Sequence, residues 1–575
     1  MAGFDLDVSL SRSVKKFFQV IRIEKREVSS IYFYAILSGL IQLTLPLGIQ
    51  AIINFAQAAA GGGKLPVSMW LLIFLVVFGV FLTGLLQVNQ MRLVEKIQQR
   101  IFSRYAFEFT FKIPRLKIKE TENHYLPELV NRFFDSVSLQ KSLSKLLLDI
   151  PLAIIQILFG LILLCVYNPI FIFLGLILLL TIFLVLYFSA KRGLEASLAE
   201  SNYKYSLMGW IQELARGFKT FKIFDRHHLH LKKTDLLLND YLESRTTHFN
   251  VLKFQYWSLI VFKLLITSSM LLIGGFLLID QKLNVGQFIA AEIVIITVLA
   301  AVEKIILSLD KAYDVLTSLE KLSKVTDKEV EVSGDLIIKD NQRGISIEAK
   351  DLSFSYEPDK VALHNLNFNI RKGNKICVMG NASSGKSTLM ELATGSITPQ
   401  TGSLLINDIP IGNYDLMAYR QNIGVFYNEQ DIFQASLMDN ITMGNKSIDQ
   451  QKLMSLAALI GIKDFIISLP QGFNTMLSAT GKGLSSIIKQ KILLLRVFSS
   501  SPTLLLMDEP FEVAGGPHTD TICSYLLGMK DITMIIVTNN LDFAKNADEI
   551  FYMENGTIKY AGSPDEVLKQ IGGNR

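Results

Sequence analysis

The run Gly380-Asn381-Ala382-Ser383-Ser384-Gly385-Lys386-Ser387 has the residue types and spacing of a phosphate-binding loop. An apolar, strand-like run from Lys375 to Met379 leads into it, and a helix-like run beginning at Thr388 follows. Phosphates are bulky and highly charged. They are held by backbone N–H groups that glycine lets approach closely, and by the positive end of a helix dipole. In this strand–loop–helix context Lys386 reaches the β- and γ-phosphates of a nucleoside triphosphate, and Ser387 holds Mg²⁺. A second run, Thr503 to Met507, is apolar and ends in Asp508 and Glu509. A buried parallel strand of that kind delivers its last side chains to the carboxyl edge of a sheet, where open α/β sheets bind ligands. Asp508 is placed to order the Mg²⁺ shell and Glu509 to polarise an attacking water. The two motifs stand about 120 residues apart, and the pair is more specific than either alone.

These motifs occupy only the last part of the chain. The sequence has 575 residues, half of them hydrophobic, and a mean hydropathy of +0.35, too apolar for an ordinary soluble protein. The apolar residues come in blocks before about residue 310, near 30–56, 67–92, 145–167, 170–191, 254–279 and 285–308. Each approaches or exceeds the roughly 20 residues that cross a bilayer. Six spans are therefore expected in a segment 30–310, behind a lead-in 1–29 that is amphipathic around Val14–Ile21. That lead-in reads equally as a membrane-surface elbow or as a helix packed on the bundle. A charged linker is expected over 311–344, and 345–575 alternates strand-like and helix-like runs, as an α/β nucleotide-binding domain does.

Lys and Arg concentrate in the lead-in and in the long connections after the second and fourth spans, and are sparse in the three short loops. Positive-inside logic puts the N-terminus, both long connections and the C-terminal domain in the cytoplasm. The net charge of +5 thus reflects membrane-proximal basic residues and gives no support to a nucleic-acid partner. Cys165, Cys377 and Cys523 are far apart and imply neither a metal site nor a disulfide framework.

With both motifs in place, the chain from about residue 30 resembles the ATP-binding cassette (ABC) transporters, specifically an exporter-type half-transporter. The resemblance extends to Tyr356 in Leu352–Tyr356, to Leu469-Pro-Gln-Gly-Phe473 and to Glu554-Asn-Gly556 in the cassette. In the membrane half, Leu45–Ile53, Leu148–Pro151 and Val285–Ala291 are similar to segments of type I secretion and bacteriocin-exporting ATPases, with Gly217–Phe224 like a coupling region. Such exporters often carry an N-terminal peptidase domain; with 29 residues ahead of the first span, none is expected here.

The resemblance implies a multidomain membrane protein with a six-helix transmembrane domain and a cytoplasmic P-loop domain in the cytoplasmic membrane. It implies ATP and Mg²⁺ as ligands, with Tyr356 stacking on adenine, and membrane lipid around the spans. A second half-transporter, identical or different, is expected as partner, as is a membrane-fusion or adaptor protein. Peptide or protein export is favoured, with a lipid or drug-like amphiphile as the alternative cargo.

Several positions depart from the family's pattern. The signature Leu-Ser-Gly-Gly-Gln reads Leu484-Ser485-Ser486-Ile487-Ile488. Ser485 retains a hydrogen-bonding group, but Ile487 puts a stiff, bulky side chain where backbone should approach phosphate. The switch-loop His is Asn539, which has no proton to titrate near neutral pH. The Q-loop Gln aligns with Asn428, the loop near Gly515 lacks the expected Asp, and Ala479 stands where exporters often have a coupling Glu. Binding parts are kept while joining and switching parts are eroded. Two readings follow: a working exporter subunit, or an ATP-binding, slowly hydrolysing regulatory subunit beside a competent partner.

Charges also fall in or near the last two spans: Lys263, Glu292, Glu303 and Lys304. Glu292 and Glu303 share one helix face and could line a path for a cationic or polar substrate. The plainer reading leaves Glu303 and Lys304 in a solvated cytoplasmic extension. His227, His228 and His230 have no Cys nearby and read as a solvated loop rather than a metal site.

Overall fold

The computed structural model describes residues 10–59, 67–120, 126–338, 344–357, 360–427, 430–514 and 518–572. The chain divides into two compact units. One comprises Met1–Leu116 with Asn123–Lys328, the other Lys117–Glu122 with Glu329–Arg575.

Among the described residues of the first unit, six helical stretches are long and apolar enough to cross a membrane: Lys25–Ala58, Val67–Arg115, Leu126–Tyr167, Phe171–Arg216, Leu229–Ile279 and Val285–Thr326. They are longer than the apolar blocks, because polar helical turns extend the spans beyond the hydrocarbon. The first span is not one helix. It breaks at Leu43 between Lys25–Gln42 and Thr44–Ala59. Pro46 has no N–H to offer the carbonyl of Gln42, and the Thr44 hydroxyl bonds back to Ile41 O at 2.7 Å. The sixth span starts on a capping box, with Asn284 and Gln287 satisfying each other's backbone N–H. The lead-in helix Leu10–Ile23 packs on the bundle through Phe17, Val20 and Ile21. Its Lys16 pairs with Glu320 at 3.4 Å and Asp327 at 3.1 Å.

The linker expected over 311–344 is divided. The sixth span runs unbroken to Thr326, because Val315, Leu319, Leu322 and Val325 bury one helical face. From Glu329 onward the chain belongs to the second unit. There Glu331 receives a bidentate pair from Arg420 at 2.7 and 2.9 Å. The short piece from Lys117, expected within the membrane segment, joins this unit too: the Lys117 N–H bonds Glu329 O at 3.2 Å and Ile118 packs on its core.

The described residues of the second unit form ten strands: β1 (Ile347–Glu357), β2 (Lys360–Ile370), β3 (Lys375–Gly380), β4 (Thr401–Ile406), β5 (Ile409–Pro410), β6 (Ile423–Phe426), β7 (Leu504–Asp508), β8 (Thr533–Val537), β9 (Glu549–Glu554) and β10 (Thr557–Gly562). One sheet has the order β10-β9-β3-β8-β7-β6, the other β2-β1-β4-β5. Strands β9, β3, β8, β7 and β6 pair in parallel, with β10 antiparallel on the edge. β7 and β8 read Leu-Leu-Leu-Met and Thr-Met-Ile-Ile-Val and are buried throughout, as a sheet covered on both faces requires. β3 lies at the centre, one strand from β7, so the residues after both emerge at the same edge.

Candidate functional site: a phosphate-binding cleft

The loop after β3 depends on two backbone positions. Gly380 has φ 149° and Gly385 φ 100°. A Cβ on Gly380 would lie 2.3 Å from Met553 O, and one on Gly385 2.9 Å from Ala362 O and 2.6 Å from Leu363 Cδ2. No other residue type fits either place without moving backbone. The loop closes into the helix Lys386–Ala393, whose N-terminal N–H groups face the cleft. The cleft, about 500 Å³, is lined by Ser383, Ser384, Gly385, Lys386, Ser387 and Thr388, by Tyr356, and by Ala362, His364, Asn555 and Gly556 from β2 and the β9–β10 turn.

Lys386 Nζ rests on the loop itself. It donates to Gly380 O at 2.9 Å, Asn381 O at 2.6 Å and Ser384 Oγ at 3.2 Å. Burial lowers its pKa, and the nearby carboxylates of Asp508 and Glu509 oppose that shift. A cation held only by weak neutral acceptors is positioned to exchange them for phosphate oxygens. Ala382 and Ser387 are exposed. Tyr356 meets the cleft by its hydroxyl, which donates to Glu391 Oε2 at 2.8 Å and lies 3.2 Å from Thr388 Oγ1. Its ring stands edge-on to Phe354, centroids 4.9 Å apart.

Asp508 ends β7, and Glu509 follows at a corner with φ 47°, a left-handed conformation uncommon outside glycine. The Glu509 N–H bonds Val537 O at 2.9 Å, which locks the corner to the end of β8. Burial raises the pKa of both carboxyl groups. For Asp508, Lys386 pulls it back. For Glu509, the Thr538 hydroxyl and the Asn539 backbone N–H do so. Thr538 is buried at 2 % exposure, and its Oγ1 also accepts from Asn540 N at 3.1 Å. Thr538 escaped the sequence reading, because no local pattern links it to a residue almost thirty positions earlier; only the β7–β8 pairing does.

The Asn539 side chain is exposed, and its backbone N–H favours the Glu509 carboxylate. Asn428 lies outside the described residues, as does Gly515. Gln430, two positions on from Asn428, donates from Nε2 to Val425 O at 3.1 Å. Ser485 caps the helix Ser486–Ser499, accepting from Ile488 N at 3.3 Å. Ile488 packs partly on the core, while Ile487 is 56 % exposed. The helix terminus therefore forms with Ile487 turned outward, and Ser485 does not line the cleft. The Cys377 thiol, beneath the loop in β3, is pushed up to about 12 by burial and is inert.

Among the described residues no group of three His, Cys, Asp or Glu is gathered as metal ligands. His230 instead bonds Asp225, which also accepts the N–H groups of Leu229 and His230 at the start of the fifth span's helix. In the membrane unit Lys263 Nζ pairs with Glu303 Oε2 at 2.6 Å. Glu292 Oε2 is buried without a partner.

Residues 29–302 match the model of the ABC transporter transmembrane region, and residues 363–512 that of the ABC transporter ATPase. The chain belongs to the ABC transporters. This ABC transporter is 31 % identical over 299 residues to the alpha-hemolysin translocation ATP-binding protein HlyB of Escherichia coli O157:H7, over 52 % of this chain and 42 % of that protein. It is 30 % identical over 309 residues to the cyclolysin secretion/processing ATP-binding protein CyaB of Bordetella pertussis, over 53 % of this chain and 43 % of that one. The matched regions thus span less than half of these curated relatives. A bacterial Atm1-family ABC exporter solved with ATP bound has a similar fold, with TM-score 0.83 and 18 % identity over 95 % of this chain and 96 % of that one. The ABC exporter fold and its nucleotide-binding domain are those that the family resemblance implied.

Proposed function

We propose that this ABC transporter is one half of an ATP-driven exporter, dimeric, carrying a peptide or protein across the cytoplasmic membrane with its N-terminus and cassette in the cytoplasm. The observation that carries the reading is the shared sheet edge. The loop that cradles phosphate and the Asp508–Glu509 pair emerge from β3 and β7 with β8 alone between them. A triphosphate seated on Gly380–Thr388 would exchange loop carbonyls for phosphate at Lys386, with adenine beside Tyr356. Mg²⁺ would be held by Ser387 and Asp508 and would neutralise phosphate charge. Glu509 then faces the water that attacks, held by Thr538 and the Asn539 N–H. The resemblance to HlyB and CyaB supports a polypeptide cargo and an adaptor partner, by kinship alone.

A second reading has its own observation. Asn539 stands in place of the switch histidine and its backbone N–H favours the Glu509 carboxylate, and Ile487 projects from the signature helix. Slow hydrolysis follows from both, which suits a subunit paired with a more competent cassette. The test is reconstitution of the protein in proteoliposomes, with and without candidate partners. ATP-dependent accumulation of a polypeptide, lost in Glu509→Gln, is the expected result. ATP binding with no transport under any pairing would favour the regulatory reading.

A further inference from the structure

Tyr205, on the helix that continues the fourth span, is surrounded by cations. Arg132 Cζ lies 5.4 Å from its ring centroid, Lys204 Nζ 5.2 Å and Lys321 Nζ 5.6 Å. One cation near a ring is ordinary; three around one ring need counter-charge. They come from three places in the first unit: the short turn Asn131–Phe134 ahead of the third span's long helix, the helix Phe171–Arg216 and the helix Val285–Thr326. Lys321 is 1 % exposed. It feels repulsion from Lys324, Arg132 and Lys204 and attraction from Asp135.

The carboxylates nearby are committed elsewhere. Asp135 is buried and accepts the Tyr205 hydroxyl at 2.6 Å. Glu320 is taken by Lys16. Glu128 attracts Arg132, yet Arg132 Nε and Nη1 are buried without a partner, as is Asn131 Nδ2. Lys321 Nζ has only a neutral acceptor, Asn202 Oδ1. A buried donor without an acceptor is costly, more so on a charged group. An anion with several oxygens would take these donors and offset the charge together. A guanidinium suits such an anion, because its planar donors match oxyanion geometry.

Position decides where the anion comes from. Arg132, Tyr205 and Lys321 lie thirteen or fourteen residues beyond the nearer ends, at 145, 191 and 308, of their apolar blocks. At 1.5 Å per residue that is about 20 Å of helix. The headgroup layer adds only roughly 5–8 Å to the hydrocarbon on each side. A phospholipid headgroup does not reach the cluster; a dissolved anion does. We infer that this cluster binds a soluble, phosphate-like oxyanion, which ties the helices of the third, fourth and sixth spans together beyond the membrane. The site lies within the first unit and does not depend on the exporter reading.

The test uses the full chain in nanodiscs of zwitterionic lipid, with the phosphate-binding loop filled by a non-hydrolysable ATP analogue. Radiolabelled inorganic phosphate is titrated in by equilibrium dialysis at constant ionic strength. One phosphate per chain is expected, displaced by sulfate and not by chloride. Arg132→Gln removes the unpaired charge and should weaken phosphate binding about tenfold or more. Lys204 is exposed, so Lys204→Gln should fold even where the buried variant does not, and it should weaken binding severalfold. Retained binding of the ATP analogue reports that each variant is folded. No stoichiometric binding of phosphate, or binding that neither variant weakens, would overturn the site; water alone would then satisfy the Arg132 N–H groups. Displacement of phosphate by a short-chain anionic phospholipid at lower concentration would overturn the soluble source.

Discussion

Glu509 sits in a left-handed corner, half-buried, and is held in place by a neighbour strand rather than by its own. Such strain at a working residue persists only where the surroundings over-determine it. Thr538 is one of those surroundings. Its hydroxyl favours the Glu509 carboxylate against burial, which raises the carboxyl pKa. Thr538→Val should therefore push that pKa up further. Because the carboxylate is the active form, activity exists only above the pKa, and the acid limb of the ATPase profile should move to higher pH. Turnover should fall about tenfold, since a hydrogen bond to a charged group contributes roughly 1.5–3 kcal/mol. Thr538→Ser should restore both limb and rate; a Ser variant that behaves like Val would dismiss the positioning role. Lys386 permits a simpler test. Lys386→Ala removes the cation beside the loop and should abolish most ATP affinity, read by nucleotide binding to the purified protein. Unchanged affinity would remove the cleft from consideration.

At the scale of elements, the helix from Ser486 to Ser499 is well made at its start. Ser485 caps it, and Ile488 buries against the core. What it presents is the exposed side chain of Ile487, where the family's pattern has glycine. Restoring Gly-Gly-Gln over Ser486–Ile488 together with Asn539→His should raise steady-state phosphate release. A positioned proton-handling group typically contributes about 10²–10⁴-fold, of which only part is expected back, because Thr538 and the Asn539 N–H already hold Glu509. Adding Glu509→Gln should erase the gain. If the unaltered chain alone turns over several times per second and stops with Glu509→Gln, the substitutions in these motifs cost nothing and hydrolysis is ordinary.

For the molecule as a whole, six spans imply that both termini lie on one side of the membrane. Cysteines introduced at Lys282, in the short turn before the sixth span, and at exposed Val332, after it, should differ in labelling by an impermeant maleimide added outside intact cells. Lys282→Cys should label and Val332→Cys should not. The same labelling at both positions would falsify the topology. Native Cys165, partly exposed near the end of the third span, is first replaced by Ser; Cys377 and Cys523 are buried.

Composition and spacing alone marked a membrane-spanning chain with a phosphate-binding loop. Long apolar blocks force helices across a bilayer, because backbone groups have no other partner there. The Gly380–Ser387 and Asp508–Glu509 motifs point to phosphate chemistry because few residue types suit it. These are local properties, written in neighbouring residues. What tertiary structure decided is non-local. Thr538 and the Asn539 N–H reach Glu509 only because β8 pairs with β7, and Asn555 and Gly556 reach the cleft only because β9 pairs with β3. The linker's division at Lys328 follows from a buried stripe on the sixth span that the charges around Thr326 conceal. The cation cluster was invisible for the same reason: Arg132, Lys204 and Lys321 are scattered single charges in helical runs. Only the packing of three spans' helices around Tyr205 brings them together.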